Sequence, residues 1–492
     1  MSNKRGTLFA SEKYCKRLHN EKGPGKYRSE FMRDRDRILY SKPFRRLSRK
    51  TQIFLPASDD HVRTRLTHTL EVAQIATTSA SSLGIDPNLT ESIALGHDIG
   101  HTPFGHSGER ALNLIVSNCD PLGNFNITFD NEEMGFKHNL QGLRIATDYT
   151  DLYQDISGLN LTNFTLWGIQ NHTGKSWKYC TYLSDDNDIK RCQLLPKSNY
   201  ENCNRIGKEI EFYNIYNSLL NQKDNDYPAW SLEGMLVEKA DEISQRHHDI
   251  EDGIIAKVID KKELLDLIES TFSSFFNRNE KHLLKKCKKI SIDESNDDYL
   301  VQYISKLIVG SLNRNLIEYS LDNISLFKKD LSIEKRNHFV QLYPSLRLDQ
   351  TLSNNIKLRN IVAFPPDVEL ADQSLQNFLK SRVLNSYQVQ RMDGKARFII
   401  RQLFKAYLTN PQQLPDSWVK IIFKENHSSK LTQHIGDIRT WLSSNYFSED
   451  IRFKKKLFRT ICDYISTMTD DFALIEHQRL YSSQENINLR KY

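Results

Sequence analysis

Apolar residues recur at helical spacing along most of this 492-residue chain. Between Thr64 and Leu83 the stripe is Leu66, Leu70, Val72, Ala73, Ile75 and Ala76, and Gly84 closes the helix. Asp86 and Pro87 open the next one, as N-cap and first helical residue. It carries Leu89, Ile93, Ala94 and Leu95 up to His97-Asp98. Residues 100–108 then hold three glycines and a proline, which predicts a shaped loop, with the following helix starting at Glu109. Residues 174–228 are rich in Asn, Asp, Lys and Tyr with weak periodicity, and predict an irregular excursion with a little helix. Residues 231–256 are strongly helical again, and most segments beyond 260 keep a helical period. The pattern predicts a mainly α protein.

Composition sharpens this in two ways. Hydrophobic residues make up only 38%, yet 24 Phe, 21 Tyr and 5 Trp supply a sizeable core and exclude disorder. The formal net charge of +6 is unevenly placed, since residues 1–50 hold 16 Lys/Arg against 5 Asp/Glu. The remainder is net acidic, so one local task near the N-terminus is expected instead of a cationic coat for nucleic acid. The start has no apolar run fit for a signal peptide, and no stretch reaches the ~18 apolar residues of a membrane span. Seven cysteines without a CxxC pair read as reduced thiols, which predicts a cytoplasmic protein.

Histidine carries the chemistry. Five of the 15 fall between residues 61 and 106, and His61, Arg65 and His68 share one helical face. His97-Asp98 forms the centre, and Asp241 lies in a helix otherwise built for burial. Two imidazoles and two carboxylates suit a divalent ion such as Mn, Fe, Co, Ni or Zn, or Mg with more waters. Such a set leaves positions open for water and a phosphate oxygen. Arg65, one turn before His68, suits a phosphate contact. Three other patterns carry less. The segment 169–176, IQNHTGKS, lacks the first glycine of a P-loop, and Cys180, Cys192 and Cys203 fit no zinc-finger spacing. Lys281, Lys285, Lys286, Lys288 and Lys289 read as a solvated helix face, with a single-stranded DNA groove as the other reading.

These motifs resemble the HD-domain deoxynucleotide triphosphohydrolases of the dGTPase type. The resemblance runs through RDRDRILYSKPFRRLSRKTQIF, VRTRLTHTLEV, HDIGHTPFGHSGERALN, FKHNLQGLRI and SLEGMLVEKADEISQRHHDIEDG. It returns in RMDGKARFI and DYISTMTDDFA, so it spans residues 27–473. It implies a metal site at His68, His97, Asp98 and Asp241, and release of tripolyphosphate from a deoxynucleotide. It further implies His106 as general acid, Glu109 orienting His106 or the water, and His138 as a phosphate contact. Gln52 matches a position near the nucleoside, and Asp249 one that reaches the sugar 3′-hydroxyl. His101 lies beside the site without an assigned role. Arg45, Arg46 and Lys50 leave an active-site role and an oligomer-contact face both open.

Two positions depart from the family. Gln245 stands where relatives carry a tyrosine that packs on the deoxyribose, and Asn171 where they carry a phosphate lysine. Both touch substrate recognition and neither touches the metal set. The expected organisation is a basic segment, 1–60, packed on the active site and oligomer interface. An HD core, 61–260, and a helical region, 261–492, follow, the latter completing the pocket and effector contacts. A homo-oligomer, tetramer or hexamer, regulated by nucleotide effectors is implied. Two alternatives stay open: an HD phosphohydrolase of another or a signalling nucleotide, and a nucleotide- or DNA-binding sensor with weak catalysis.

Overall fold

The computed structural model describes residues 12, 15–52 except 22 and 24, 63–117, 119–120, 122, 135–149, 156–173, 176–178, 209–211, 231–291, 297–330, 360–426, 434–445 and 450–482. Side-chain caps start the helices of the N-terminal half. Ser29 accepts from the Met32 amide to begin α1 (Glu30–Tyr40), and Ser41 begins α2 (Lys42–Arg46). Thr64 accepts from the Thr67 amide to begin α3 (Arg65–Leu83), which ends on Gly84 at φ 72°. Asp86 caps α4 (Pro87–Gly96) through Asn88 and Leu89, with Pro87 in the first turn, as the sequence predicts.

The next element corrects an expectation. Helix α5 (Gly105–Val116) begins four residues before Glu109, inside the glycine-rich stretch. Phe104 and Gly105 turn the chain at φ 61° and 57°, so the break falls there and not at Gly108. Gly108 sits within the helix because it is crowded, a Cβ there lying 2.0 Å from the Pro103 carbonyl oxygen. Close approach, and not helix breaking, explains that glycine.

Helix α6 (His138–Arg144) runs into a π-helical turn, Ile145–Tyr149, and α7 is Asn163–Asn171. Of the expected excursion only β1 (Ser176–Lys178) and β2 (Glu209–Glu211) are described, and they pair antiparallel. The long α8 (Leu232–Ile255) is capped by Ser231. Then follow α9 (Lys261–Phe272), α10 (Arg278–Ile290), α11 (Asp297–Asp330), α12 (Pro366–Leu379) and α13 (Tyr387–Thr409). The last four are α14 (Asp416–Asn426), α15 (Ile435–Asn445), α16 (Ile451–Ser466) and α17 (Asp470–Tyr481). The fold is mainly α.

Two apolar cores organise these helices. The first runs from Phe31 to Val383 and joins Val72 and Ala76 of α3, Leu89 and Ile93 of α4, Ile243 and Ile250 of α8, and Leu307 and Leu312 of α11. The second sets Ala111, Leu112 and Ile115 of α5 against Leu403 and Phe404 of α13 and Phe458 and Ile461 of α16. Helix α5 therefore belongs to the second core, while α3, α4 and α8 belong to the first. The seam between the cores passes beside the histidine-rich segments.

One buried ion pair ties α8 to α12. The Arg246 guanidinium donates from Nε and Nη2 to the two oxygens of Asp372, each at 2.9 Å, and both side chains are buried. Removing one partner strands a buried charge. Asp372→Ala is expected to lower stability by about 3–5 kcal/mol, read as a fall in the urea midpoint.

Candidate metal centre and active site

Three helices of the first core bring the four predicted donors together. His68 sits in the first turn of α3, His97 and Asp98 follow the last residue of α4, and Asp241 lies within α8. His68 Nε2 is 3.0 Å from Asp241 Oδ1 and 4.0 Å from Asp98 Oδ2. His97 Nε2 is 3.5 Å from Asp98 Oδ1 and 3.9 Å from Asp241 Oδ1. All four residues are buried.

The hydrogen-bond network assigns the ring tautomers. His97 Nδ1 donates to the Ala94 carbonyl at 2.6 Å, so its Nε2 carries the lone pair. Glu71 Oε2 accepts from His248 Nε2 at 2.8 Å, which leaves His248 Nδ1 as acceptor for His68 Nδ1 at 3.2 Å. His68 Nε2 then also presents a lone pair, towards the carboxylate oxygen of Asp241. Burial and the neighbouring His68 push His248 down to about 4, against the pull of Glu71, which keeps the ring neutral. Imidazole nitrogens facing carboxylate oxygens at 3–4 Å need positive charge among them, a proton on the ring or a metal ion. His97 Nε2 and Asp241 Oδ1 are accordingly buried without a hydrogen-bond partner. Donor types, spacing and these two bare atoms fit a divalent metal.

Neighbours hold the carboxylates charged. Burial opposes the ionisation of Asp98, but His97, His101 and Arg65 keep it well below the usual carboxylate range. Arg65 Nη1 donates to Asp98 Oδ2 at 2.8 Å. Burial likewise opposes Asp241, and His68 and His97 hold it low. The Gln245 amide donates to Asp241 Oδ2 at 3.2 Å, so it steadies Asp241, a task its expected sugar-side position does not suggest.

A second histidine cluster adjoins the first. His101 Nε2 lies 3.2 Å from Asp98 Oδ1, and its ring stacks on His138 with centroids 3.8 Å apart. His138 bonds through Nδ1 to Glu109 Oε2 and faces His172 through Nε2 at 3.2 Å. Lys137 donates to Glu109 Oε1 at 2.9 Å, and Lys137 and His138 hold that carboxyl well below its usual range although burial opposes them. Glu109 therefore orients His138, a contact the resemblance did not imply, and it also lies close enough to His106 to raise that ring's pKa against burial. Gly100 makes the approach possible, since a Cβ there would lie 2.0 Å from the His138 carbonyl oxygen.

His106 is exposed, with its ring centroid 5.1 Å from that of His101. It lines a cavity of about 540 Å³ together with Gln52, Arg110, Lys380, Lys395 and Arg397. Among the described residues, Gln52 Oε1 is buried without a hydrogen-bond partner, as are Nε and Nη2 of Arg65. Asp249 is half-buried on α8, where burial pushes its carboxyl up to about 7. The Asn171 amide turns back to the Trp167 carbonyl at 3.0 Å within its own helix. Lys50 is buried, Arg46 half-buried, and Arg45 is exposed with a bond to the Tyr40 carbonyl. Lys286 and Lys288 of the basic stretch on α10 reach Tyr303 and Glu269. His61, Cys180, Cys192 and Cys203 lie outside the described residues. Sequence reading missed His172, Lys137, Glu71 and His248. For His248 a signal existed, because it follows Asp241 by two helical turns and so lies on the same face of α8. No described helix is long and apolar enough to cross a membrane.

Comparison with known proteins agrees with this geometry. Residues 65–263 match the HD domain, and residues 362–438 and 441–479 match a phosphohydrolase-associated domain. The chain is 32% identical to a deoxyguanosinetriphosphate triphosphohydrolase-like protein of Nitrobacter hamburgensis, over 94% of this chain and 92% of the relative. A protein of the same description from Rickettsia bellii is 32% identical over 94% of this chain and 94% of its own length. Buried His-Asp donors on helices, in a chain that matches these relatives nearly end to end, place the protein in the deoxyguanosinetriphosphate triphosphohydrolase-like family of HD-domain, metal-dependent phosphohydrolases.

Proposed function

We propose that this protein hydrolyses a deoxynucleoside triphosphate to a deoxynucleoside and tripolyphosphate. The observation that carries the reading is the juxtaposition of a buried two-His, two-carboxylate donor set with a separate exposed histidine, His106, that lines an adjacent cavity. His68, His97, Asp98 and Asp241 would hold the ion, of the Mn, Mg, Fe, Co, Ni or Zn class. A divalent ion there supplies Lewis-acid chemistry, acidifying water and offsetting phosphoryl charge.

The residues of the chain divide the remaining work. Arg65 presents two unpaired guanidinium nitrogens for phosphate oxygens while Asp98 fixes its third. His138, locked by Glu109, is a second phosphate contact. Gln52 is offered to the nucleoside in the cavity it lines with His106, and Asp249 of α8 is offered to the sugar. Hydrolysis breaks the bond between the α-phosphorus and O5′. The water oxygen stays on the tripolyphosphate and O5′ takes a proton, which His106 is placed to give. Desolvation lowers the pKa of His106, Glu109 opposes this, and Arg65, His138 and Lys137 lower it further. The net effect in the free protein is downward, to about 3. A bound polyphosphate adds negative charge and raises that pKa, so the proton donor forms as substrate arrives. The reading includes a homo-oligomer with nucleotide effectors and a cytoplasmic location, with the basic face of α10 solvated and single-stranded DNA as its alternative occupant.

The test is incubation with Mn and each dNTP, singly and in pairs, with products identified. Tripolyphosphate with deoxynucleoside is expected, and pyrophosphate or monophosphate as the phosphate product would refute the reading. EDTA is expected to abolish turnover, with activity restored by added divalent metal. Asp98→Ala is expected to lose bound metal and at least about a thousand-fold in kcat, measured by elemental analysis and steady-state kinetics. His106→Gln keeps the metal and loses about 10²–10⁴ in kcat. The donor must be protonated, so activity falls as pH rises through its pKa. With that pKa raised in the complex, the alkaline limb of kcat is expected at higher pH than that of kcat/KM, and His106→Gln removes the limb.

A further inference from the structure

Two C-terminal motifs, residues 391–399 and 463–473, carry none of the four donors, yet both grip the segment that bears His106. Phe104 precedes α5 at φ 61° and ψ 27°, a left-handed backbone unfavourable for a residue with a side chain. Such a conformation persists only where the surroundings fix it. Here Asp470 does so from 366 residues away, accepting the Phe104 amide on Oδ1 at 2.8 Å. Its Oδ2 accepts the Thr51 amide at 2.9 Å and also the Thr51 hydroxyl. Thr51 is the residue before Gln52. One buried carboxylate thus joins the two stretches that lead into His106 and Gln52.

Neighbouring contacts act in the same direction. Lys50 is buried and donates to the Ser466 carbonyl at 3.0 Å and to the His101 carbonyl. Asp393, from the other motif, accepts the Ser107 hydroxyl, and Arg110 donates to it at 2.6 Å. Burial raises the pKa of Asp470, while its bonds to Thr51 and Phe104 and the nearby Lys50 lower it. Three donors converge on its two oxygens, which is the pattern of a carboxylate.

We propose that Asp470 is a positioning residue for the hydrolysis. It sets the left-handed start of α5 and thereby fixes His106 in register with Gln52. This rests on the triphosphohydrolase reading. The geometry explains why a phosphohydrolase core carries a C-terminal helical unit that supplies no metal donor.

The test uses Asp470→Asn in the full chain. It exchanges one acceptor oxygen for an NH2 group that opposes the donors of Thr51 or Phe104. Expected are a fall in kcat of about ten- to a hundred-fold, a smaller change in KM, and unchanged metal content. Amide hydrogen exchange at residues 104–107 should rise while α3 and α8 keep their protection. Thr51→Val, which deletes only the hydroxyl bond, should show a smaller loss of the same kind. The double variant should be no worse than Asp470→Asn alone. If Asp470→Asn does not fold, Thr51→Val carries the kinetic and exchange comparison. Unchanged kcat, unchanged exchange at 104–107, or a kcat loss matched by loss of metal would each overturn the proposal. Failure of the wild-type protein to release tripolyphosphate from any dNTP sinks the functional reading instead, and the exchange comparison still decides the role of Asp470.

Discussion

Everything near the centre of this protein answers to one unfavourable juxtaposition. Two imidazole lone pairs and two carboxylates are held within 3–4 Å of each other away from water. Without compensation such groups repel and demand solvent. The compensation comes from surrounding groups that hold each one in place. Ala94 holds the back of His97, His248 and Ser244 that of His68, Arg65 and His101 that of Asp98, and Gln245 that of Asp241. What remains pointing inward is the part that nothing in the chain satisfies, and this is what makes the place a receptor for a cation.

The arrangement divides labour between two packed bodies. The donor set is a product of the first core, where α3, α4 and α8 meet. His106 rides on α5, whose apolar face is buried in the second core. The placement of His106 against the donor set therefore depends on how the cores are registered. Polar contacts do that work: Lys50 reaching Ser466, Asp470 reaching Thr51 and Phe104, and Asp393 reaching Ser107 and Arg110. Directional bonds suit this task better than apolar packing, which tolerates small slides.

Sequence made the centre legible because the signals were local. Asp86-Pro87 opens α4 and so fixes where His97-Asp98 emerges, and helical spacing puts Arg65 one turn from His68. Reading failed where the cause was distant. Gly100, Gly105 and Gly108 looked like loop formers, whereas Gly100 and Gly108 are small so that backbone from elsewhere can approach. Glu71 and His248 are 177 residues apart and meet only because α3 packs on α8. Gln245 kept the position of a family residue but not its contact, since a shorter, polar side chain finds the nearest carboxylate. The bonds of Glu109 to Lys137 and His138 were equally out of reach, because they depend on how the chain before α6 passes α5.

The rings of His106, His101, His138, His172, His97, His68, His248 and His247 follow one another with centroids 3.8–5.5 Å apart. More than half of the chain's 15 histidines stand in that file. Adjacent rings in the row touch, so a change at one is felt by the next. Any single substitution in the row retunes the others. Losses measured one residue at a time will therefore sum to more than the site as a whole contributes, and only paired substitutions can apportion them.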